Sequence, residues 1–384
     1  MNVTILLHKI YEVNSVKKKI SIMIFAVLLL FTAVVPSYLK VTGQDAYAAG
    51  TSGELRGVWV SCFDFSSLGL QDKNEKTFRT KVNAFLNKAR NDNLNAVFFH
   101  VRAYDDAAWK SRTFPAMKYL SSKSSRKKTA AKTYTYDPMK IVIELAHEKG
   151  MEFHAWMNPY RKNSSGTYYN PAYNSTNDRV VKAVDEILKY DVDGIHFDDY
   201  FYNGTKYVNL DNKKVLKSKN KPSYKKRMKY VNKMISRVYS TVKSDRPGAV
   251  FGISPQGNME NAKALGCDID TWMSKKGYVD YIMPQLYWTD NWGSQGKTKM
   301  FTRTLNNWPA DGLNKVGMPV YIGLALYKSS GWTGDPGWKR SSSNLSEQLK
   351  MLRKKKCNGY VLFSAKDLYR KGASKEIANL NKVV

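Results

Sequence analysis

From Leu55 to near its end this chain repeats one pattern. Short runs rich in β-branched and aromatic residues alternate with longer amphipathic stretches, eight times over. The strand-like runs are 55–62, 96–102, 152–157, 194–198, 249–254, 281–287, 320–325 and 359–364. The clearest helical stretches between them are 75–91, 137–149, 178–190, 224–244 and 343–355. Asp137 reads as an N-cap with Pro138 at the first helical position, and Gly150 as the stop signal. Strands separated by helices imply a parallel sheet, because a parallel neighbour is reached only by a long crossover. Eight such units predict a closed (β/α)8 TIM barrel, for which about 250 residues suffice. No Gly-x-Gly-x-x-Gly turn follows the first strand, which argues against an open dinucleotide-binding sheet.

Three polar segments, 104–136, 161–177 and 200–223, are too long to be simple connections. Each follows a strand, so each is expected on the C-terminal face of the barrel, where such folds build their sites. At the other end of the chain, Lys17, Lys18 and Lys19 precede an apolar stretch at 20–35, and Ala46-Tyr47-Ala48 follows. That order predicts a secretory signal peptide over 1–48, a single barrel over 49–384 and an extracellular, wall-associated protein. The apolar stretch is short for a spanning helix, which needs about 20 residues, so no integral membrane domain is expected after cleavage. Cys62, Cys267 and Cys357 lack paired spacing and are expected as buried free thiols. The net charge of +30 suggests a polyanionic partner. For an exported chain that is cell-wall polymer rather than nucleic acid.

The sharpest chemistry lies at Val192–Tyr200, where an apolar-alternating strand ends in Asp198-Asp199. Glycosidic cleavage needs one carboxyl group as acid and another as nucleophile or base. Strand side chains alternate faces, so Asp198 joins His196 in pointing inward. Asp199 reaches the same site only if the chain bends. Asp64 and Asp106, just after the first and second strands, are the other candidates for a second carboxylate. His100, His154 and His196 fall on successive strands, and with Asp198 they offer a zinc-like donor set. The first strand reads Trp59-Val60-Ser61 and has no His-x-His pair, so the histidines are expected as hydrogen-bonding partners, without metal or cofactor. Trp156, Asn158, Tyr160 and Arg161 end the third strand, and Gln285, Tyr287 and Trp288 the sixth. Polar groups among aromatic walls suit a sugar pocket, and Arg102 is placed to pair with a carboxylate. The candidate catalytic residues are thus Asp198, Asp199 and Asp64. The candidate substrate contacts are Arg102, Asp106, His154, Trp156, Asn158, Arg161, His196, Gln285, Tyr287 and Trp288.

The runs LRGVWVSCFD, FFHVRAYDDAAW, YDPM, FHAWMNPYR, VDGIHFDDYFY, FGISPQGN, DYIMPQLYW and YIGLALY, spread over 54–363, resemble in order the glycosyl-hydrolase-like family ten. The resemblance implies a TIM-barrel glycoside hydrolase, with some relatives acting on the glycan strands of peptidoglycan. It also implies Asp64, Arg102, Asp106, Asn158, Asp198 and Asp199 as the family's polar residues. Two departures bear on specificity. Ser254-Pro255-Gln256-Gly257 stands where many members read SPFG, and Lys226-Arg227-Met228 replaces a WRR run. The strand DGIHFDDY is also similar to the DGxDxDxE strand of family-eighteen chitinases, with Tyr200 at the place of their catalytic Glu. The expected function is therefore a secreted glycoside hydrolase of cell-wall N-acetylhexosamine glycan using carboxylate acid/base chemistry. A non-catalytic wall-polysaccharide-binding barrel and a metal-dependent hydrolase or deacetylase are the alternatives.

Overall fold

The computed structural model describes residues 53–120, 134–309, 312–329, 331 and 334–384; the expected signal peptide lies outside them. Eight parallel strands form the barrel: β1 (Leu55–Val60), β2 (Ala96–Arg102), β3 (Glu152–Met157), β4 (Gly194–Asp198), β5 (Val250–Ser254), β6 (Tyr281–Ile282), β7 (Tyr321–Leu324) and β8 (Gly359–Phe363). Seven neighbouring pairs make parallel ladders, running from β7 through β8 and β1 round to β6, with one register shift near the end of β2–β3. The ring closes between β6 and β7 through isolated pairings of Ile282 with Val320 and Gln285 with Gly323. All eight strands fall on the runs expected from sequence. The sixth is regular for two residues only, because Pro284 has no N–H to offer the ladder. Pairing resumes beyond it, where Gly323 N donates to Pro284 O at 2.9 Å and Leu286 N to Gly323 O at 2.9 Å.

Alternation sorts the side chains into two cores. Val58, Val97, Phe99, Phe153, Ile195, Phe197, Phe251 and Ile253 point outward into the layer shared with the helices. Leu55, Trp59, Ala96, Phe98, Trp156, Tyr281, Met283 and Val361 fill the barrel itself. Large interior rings need small residues opposite them. A Cβ on Gly252 would sit 2.2 Å from the Tyr281 ring, and one on Gly194 would sit 2.4 Å from His154. At mid-height the His196 ring accepts or donates on both sides. Trp59 Nε1 donates to its Nε2 at 3.2 Å, Ser254 Oγ lies 3.0 Å from the same atom, and Tyr281 Oη lies 2.9 Å from Nδ1. Burial holds His196 well below the usual imidazole range, so the ring is neutral.

The helices Glu75–Asn91, Pro138–His147, Asn174–Ile187, Tyr224–Asp245 and Asn344–Lys354 cover the outer layer. Asp137 caps the second as expected, accepting from Lys140 N at 3.1 Å. The third begins at Asn174, a turn earlier than its apolar periodicity suggests. Short helices at Met259–Ala264, Ile269–Ser274 and Met300–Leu305 carry too few turns to show a period. The long segments after β3 and β4 are not loose. They pair with each other in a small sheet of Thr167–Tyr169, Lys206–Val208 and Val215–Lys217. Tyr168 and Tyr207 are buried beneath it with ring centroids 6.1 Å apart. The three cysteines are free and buried. Among the described residues, no helix is long and apolar enough to cross a membrane.

Gly252→Ala tests this interior. The added methyl must displace the Tyr281 ring and with it the bond to His196. The expected loss is about 1–3 kcal/mol, the usual range for overpacking, measured as a lower urea midpoint at unchanged slope. Ala at exposed Gly248, where nothing lies within 4 Å of the new carbon, should leave the midpoint nearly in place.

Candidate active site

β4 delivers Asp198 to the C-terminal mouth of the barrel, two residues above His196 on the same inward-facing row. Gln285, just past Pro284 on the β6 side, donates from Nε2 to Asp198 Oδ1 at 3.2 Å and to Ser254 O at 2.8 Å. The strand ends at Asp198 and the chain bends at Asp199, which changes the outcome expected of strict alternation. Asp199 N donates to Asp198 Oδ1 at 2.9 Å, and the Asp199 carboxyl lies against both Asp198 and Gln256. Both carboxyl groups are buried. Burial pushes Asp198 above the usual carboxylate range, opposed by the bonds from Asp199 and Gln285 and by the Arg161 charge. Burial and the neighbouring Asp198 push Asp199 well above it, with Gln256 opposing. Two buried carboxyls this close cannot both ionise freely, so they titrate as a pair.

Aromatic and polar groups surround the pair. Arg161, following β3, has its guanidinium carbon 4.8 Å from the Tyr104 ring centroid and 4.7 Å from that of Tyr200. Deeper in the mouth, His100 and Trp156 stack with centroids 3.8 Å apart. Cys62 N donates to His100 Nδ1 at 3.4 Å, and burial with the Arg161 charge holds this imidazole neutral. His100 Nε2, Trp156 Nε1 and Asn158 Oδ1 are buried with no protein partner. Tyr287 packs against Tyr327 and Phe363, and its phenol is raised by burial and by Asp198. Trp288 leads away into a groove of about 710 Å³ that it lines with Gly257, Asn258, Trp292 and Arg303.

The remaining candidates are engaged by other protein groups. Asp64 joins β1 to β8: it accepts from Ser61 N at 3.0 Å and Ser364 Oγ at 3.0 Å, with Lys366 3.6 Å away. Burial raises its carboxyl to about 6. Asp106 accepts from Tyr104 N at 3.0 Å and is likewise raised to about 6 by burial. Arg102 is fully buried and committed to protein groups. It donates to Asn158 O at 2.9 Å, Pro159 O at 3.1 Å and Asp105 Oδ1 at 2.8 Å. Asp105 also binds Arg179 in bidentate fashion, at 2.7 and 2.8 Å, and accepts from Tyr169 Oη at 2.5 Å. His154 lies at the opposite end of the barrel, 3.0 Å from Glu152 and close to the first residues of β1, β5, β6 and β7. His196 belongs to the middle layer. The three histidines thus occupy three heights, and among the described residues no three His, Cys, Asp or Glu side chains converge as metal ligands.

The structure therefore brings Asp198, Asp199, Gln285, Arg161 and Tyr287 into one mouth, over Trp156 and Asn158, with Trp288 at its margin. Four neighbours, Tyr104, Tyr168, Tyr200 and Gln256, were not singled out as contacts from sequence. Tyr200 shares the parity of Asp198, and Asp198 is the largest influence raising its phenol. Gln256 lies in the run that departs from SPFG.

Comparison with known proteins bears on the family and the fold. The profile of a family described as Glycosyl hydrolase-like 10 matches residues 54–165 and 159–340. Glycosyl hydrolase YngK of Bacillus subtilis is 28% identical over 379 residues, covering 83% of this chain and 70% of that protein. Glycosyl hydrolase DigH of Escherichia coli K12 is 27% identical over 338 residues, covering 72% of this chain and 74% of that one. Among solved structures, the C-terminal domain of a protein described as a chitinase from Desulfitobacterium hafniense superposes with a TM-score of 0.52 at 10% identity, covering 86% of this chain and 99% of that one. A β-1,4-D-mannanase from Cryptopygus antarcticus gives 0.50 at 12% identity, covering 86% and 89%. At such identities these two speak to the barrel alone.

The Arg102–Asp105–Arg179 cluster pins the loop after β2 to the end of β3. Asp105→Asn would leave Arg102 buried without its counter-charge, and about 3–5 kcal/mol of stability should be lost, read from urea unfolding. The two arginines and Tyr169 overcome burial and hold Asp105 below its usual range. Its contribution is therefore present above the unfolded carboxylate pKa and lost as pH falls through the folded one. The variant's deficit should shrink in acid.

Proposed function

The chain belongs to the Glycosyl hydrolase-like 10 family and is a glycoside hydrolase; from that premise we propose that it is exported and cleaves bacterial cell-wall glycan, peptidoglycan or a related N-acetylhexosamine polymer. One observation carries the mechanism: two adjacent buried carboxyl groups, both with raised proton affinity, at the mouth of an aromatic-walled barrel. Glycosidic cleavage needs a proton delivered to the leaving oxygen while negative charge supports the developing oxocarbenium ion. A pair that shares one proton near neutral pH supplies both. Asp198, which accepts from Gln285, takes the ionised role, and Asp199 retains the proton. The wall as substrate is supported by the +30 charge, the leader-like sequence over 1–48 and the Trp288–Trp292 groove, whose indoles offer flat apolar faces to pyranose rings.

The decisive experiment incubates the exported protein with peptide-free and peptide-bearing peptidoglycan, with and without chelator, and counts new reducing ends. Wild type should release them with or without chelator, and Asp198→Asn should lower kcat by about 10²–10⁴-fold, the usual contribution of such a group. Sedimentation with wall but no product would instead identify a binding protein. Equal release by wild type and variant would remove Asp198 from the chemistry. Loss on chelation would replace the carboxylate mechanism by a metal-dependent one.

The pH profile separates the two roles. Asp198 is pushed up to about 6, so kcat/KM should rise as pH increases through about 6 and this carboxyl ionises. It should fall again at higher pH, where Asp199 gives up its proton. In Asp199→Asn the alkaline limb should vanish while the acid limb remains. An unchanged alkaline limb would assign the proton to another group.

A further inference from the structure

Among the described residues, Arg161 is a cation at the mouth that forms no ion pair. Its guanidinium is held between the rings of Tyr104 and Tyr200, at 4.8 and 4.7 Å. Among the described residues its side chain makes no ion pair and no hydrogen bond. The contrast with its neighbours is instructive: Arg102 and Arg179 share Asp105, and Lys366 faces Asp64. A second cation stands beside it. Lys118 Nζ lies 5.2 Å from the Tyr104 ring and 4.8 Å from that of Tyr119, and among the described residues only Ser164 Oγ is within bonding reach, at 3.4 Å.

Cation–π contact does not consume the guanidinium N–H groups, and those of Arg161 donate to no described residue. Their in-plane edge matches a planar, two-oxygen anion, which it binds with two parallel bonds. Arg161 lowers the proton affinity of Asp198, but burial outweighs it, and no ion pair joins these two described residues. The groove on the other side of the mouth holds Trp288 and Trp292, with Arg303 and Glu260 of opposite sign. On the β2–β3 side, among the described residues, Arg161 and Lys118 stand beside the reacting centre without an ion pair.

We propose that Arg161, braced between Tyr104 and Tyr200 and backed by Lys118, binds a carboxylate carried by a sugar next to the scissile bond, and so selects acidic over neutral glycan. The proposal rests on the reading of this mouth as a glycan site. It makes Arg161 a specificity-determining residue, with the neutral part of the chain directed toward the tryptophan groove.

The test measures Kd by calorimetry on the full chain carrying Asp198→Asn, with three probes. These are an N-acetylglucosamine oligomer, a matched oligomer with a carboxylate-bearing hexosamine, and that oligomer after reduction of its carboxyl to the alcohol. The acidic oligomer should bind about ten- to a hundredfold tighter than its reduced form, as expected of a charge-assisted bidentate pair, and less so in high salt. Adding Arg161→Gln should bring the ratio near one, while Arg161→Lys retains part of it. Lys118→Gln, a change in the half-buried loop after β2 and outside the barrel strands, should lower it several-fold. Equal binding of acidic and reduced oligomers, or a ratio that survives Arg161→Gln in a protein with an unchanged unfolding midpoint, overturns the proposal. If the ratio behaves as expected but wild type cleaves none of the three, the assignment of Arg161 stands and the hydrolytic reading falls.

Discussion

The mouth of this barrel rests on a neutral histidine at its centre. His196 ties β4 to β1 through Trp59, to β5 through Ser254 and to β6 through Tyr281. A buried imidazole with both nitrogens engaged fixes the rotation of its strand, because any slip by one residue would carry it into the apolar outer layer. Asp198, two residues on, inherits that orientation. Gln285 then sets its height by bridging Asp198 and the Ser254 carbonyl. The site is thus positioned from below by polar bonds inside the barrel and from the side by one amide.

The electrostatics follow from the same economy. Few cations reach the paired carboxyls, so burial dominates and both retain protons longer than free aspartates do. Elsewhere buried charge is paired in place, as in the Arg102–Asp105–Arg179 cluster, where two arginines share one carboxylate and, with a tyrosine, hold two strand ends together. The difference separates structure from chemistry. Charge compensated in place stabilises, whereas charge left under-compensated at a mouth is available to a substrate.

Much of this was legible in the sequence. The eight strands and the inward parity of Asp198 follow from alternation alone, and the cap at Asp137 from local chemistry. Three features were not. Asp199 faces the pair because the chain bends where the ladder ends, and a terminal bend leaves no periodic trace. The small sheet over the mouth joins segments about forty residues apart whose strands are three residues each, too short to declare themselves. Arg102 and His154 have the residue types of ligand contacts, but which end of a strand they occupy and what they touch is decided by tertiary packing. Arg102 is taken up by backbone carbonyls, and His154 lies at the far end of its strand.

The seam between β6 and β7 has a further consequence. Every other junction of the barrel is a ladder of paired strands, while this one is stitched by isolated pairings on either side of a proline. Gln285 belongs to that seam. The staves of the barrel are therefore most easily parted beside the residue that holds the reacting carboxyl in place. Thermal breathing there would spoil the alignment of Asp198 while the rest of the ring stays closed, so activity should be the first property lost on warming and the first regained on cooling.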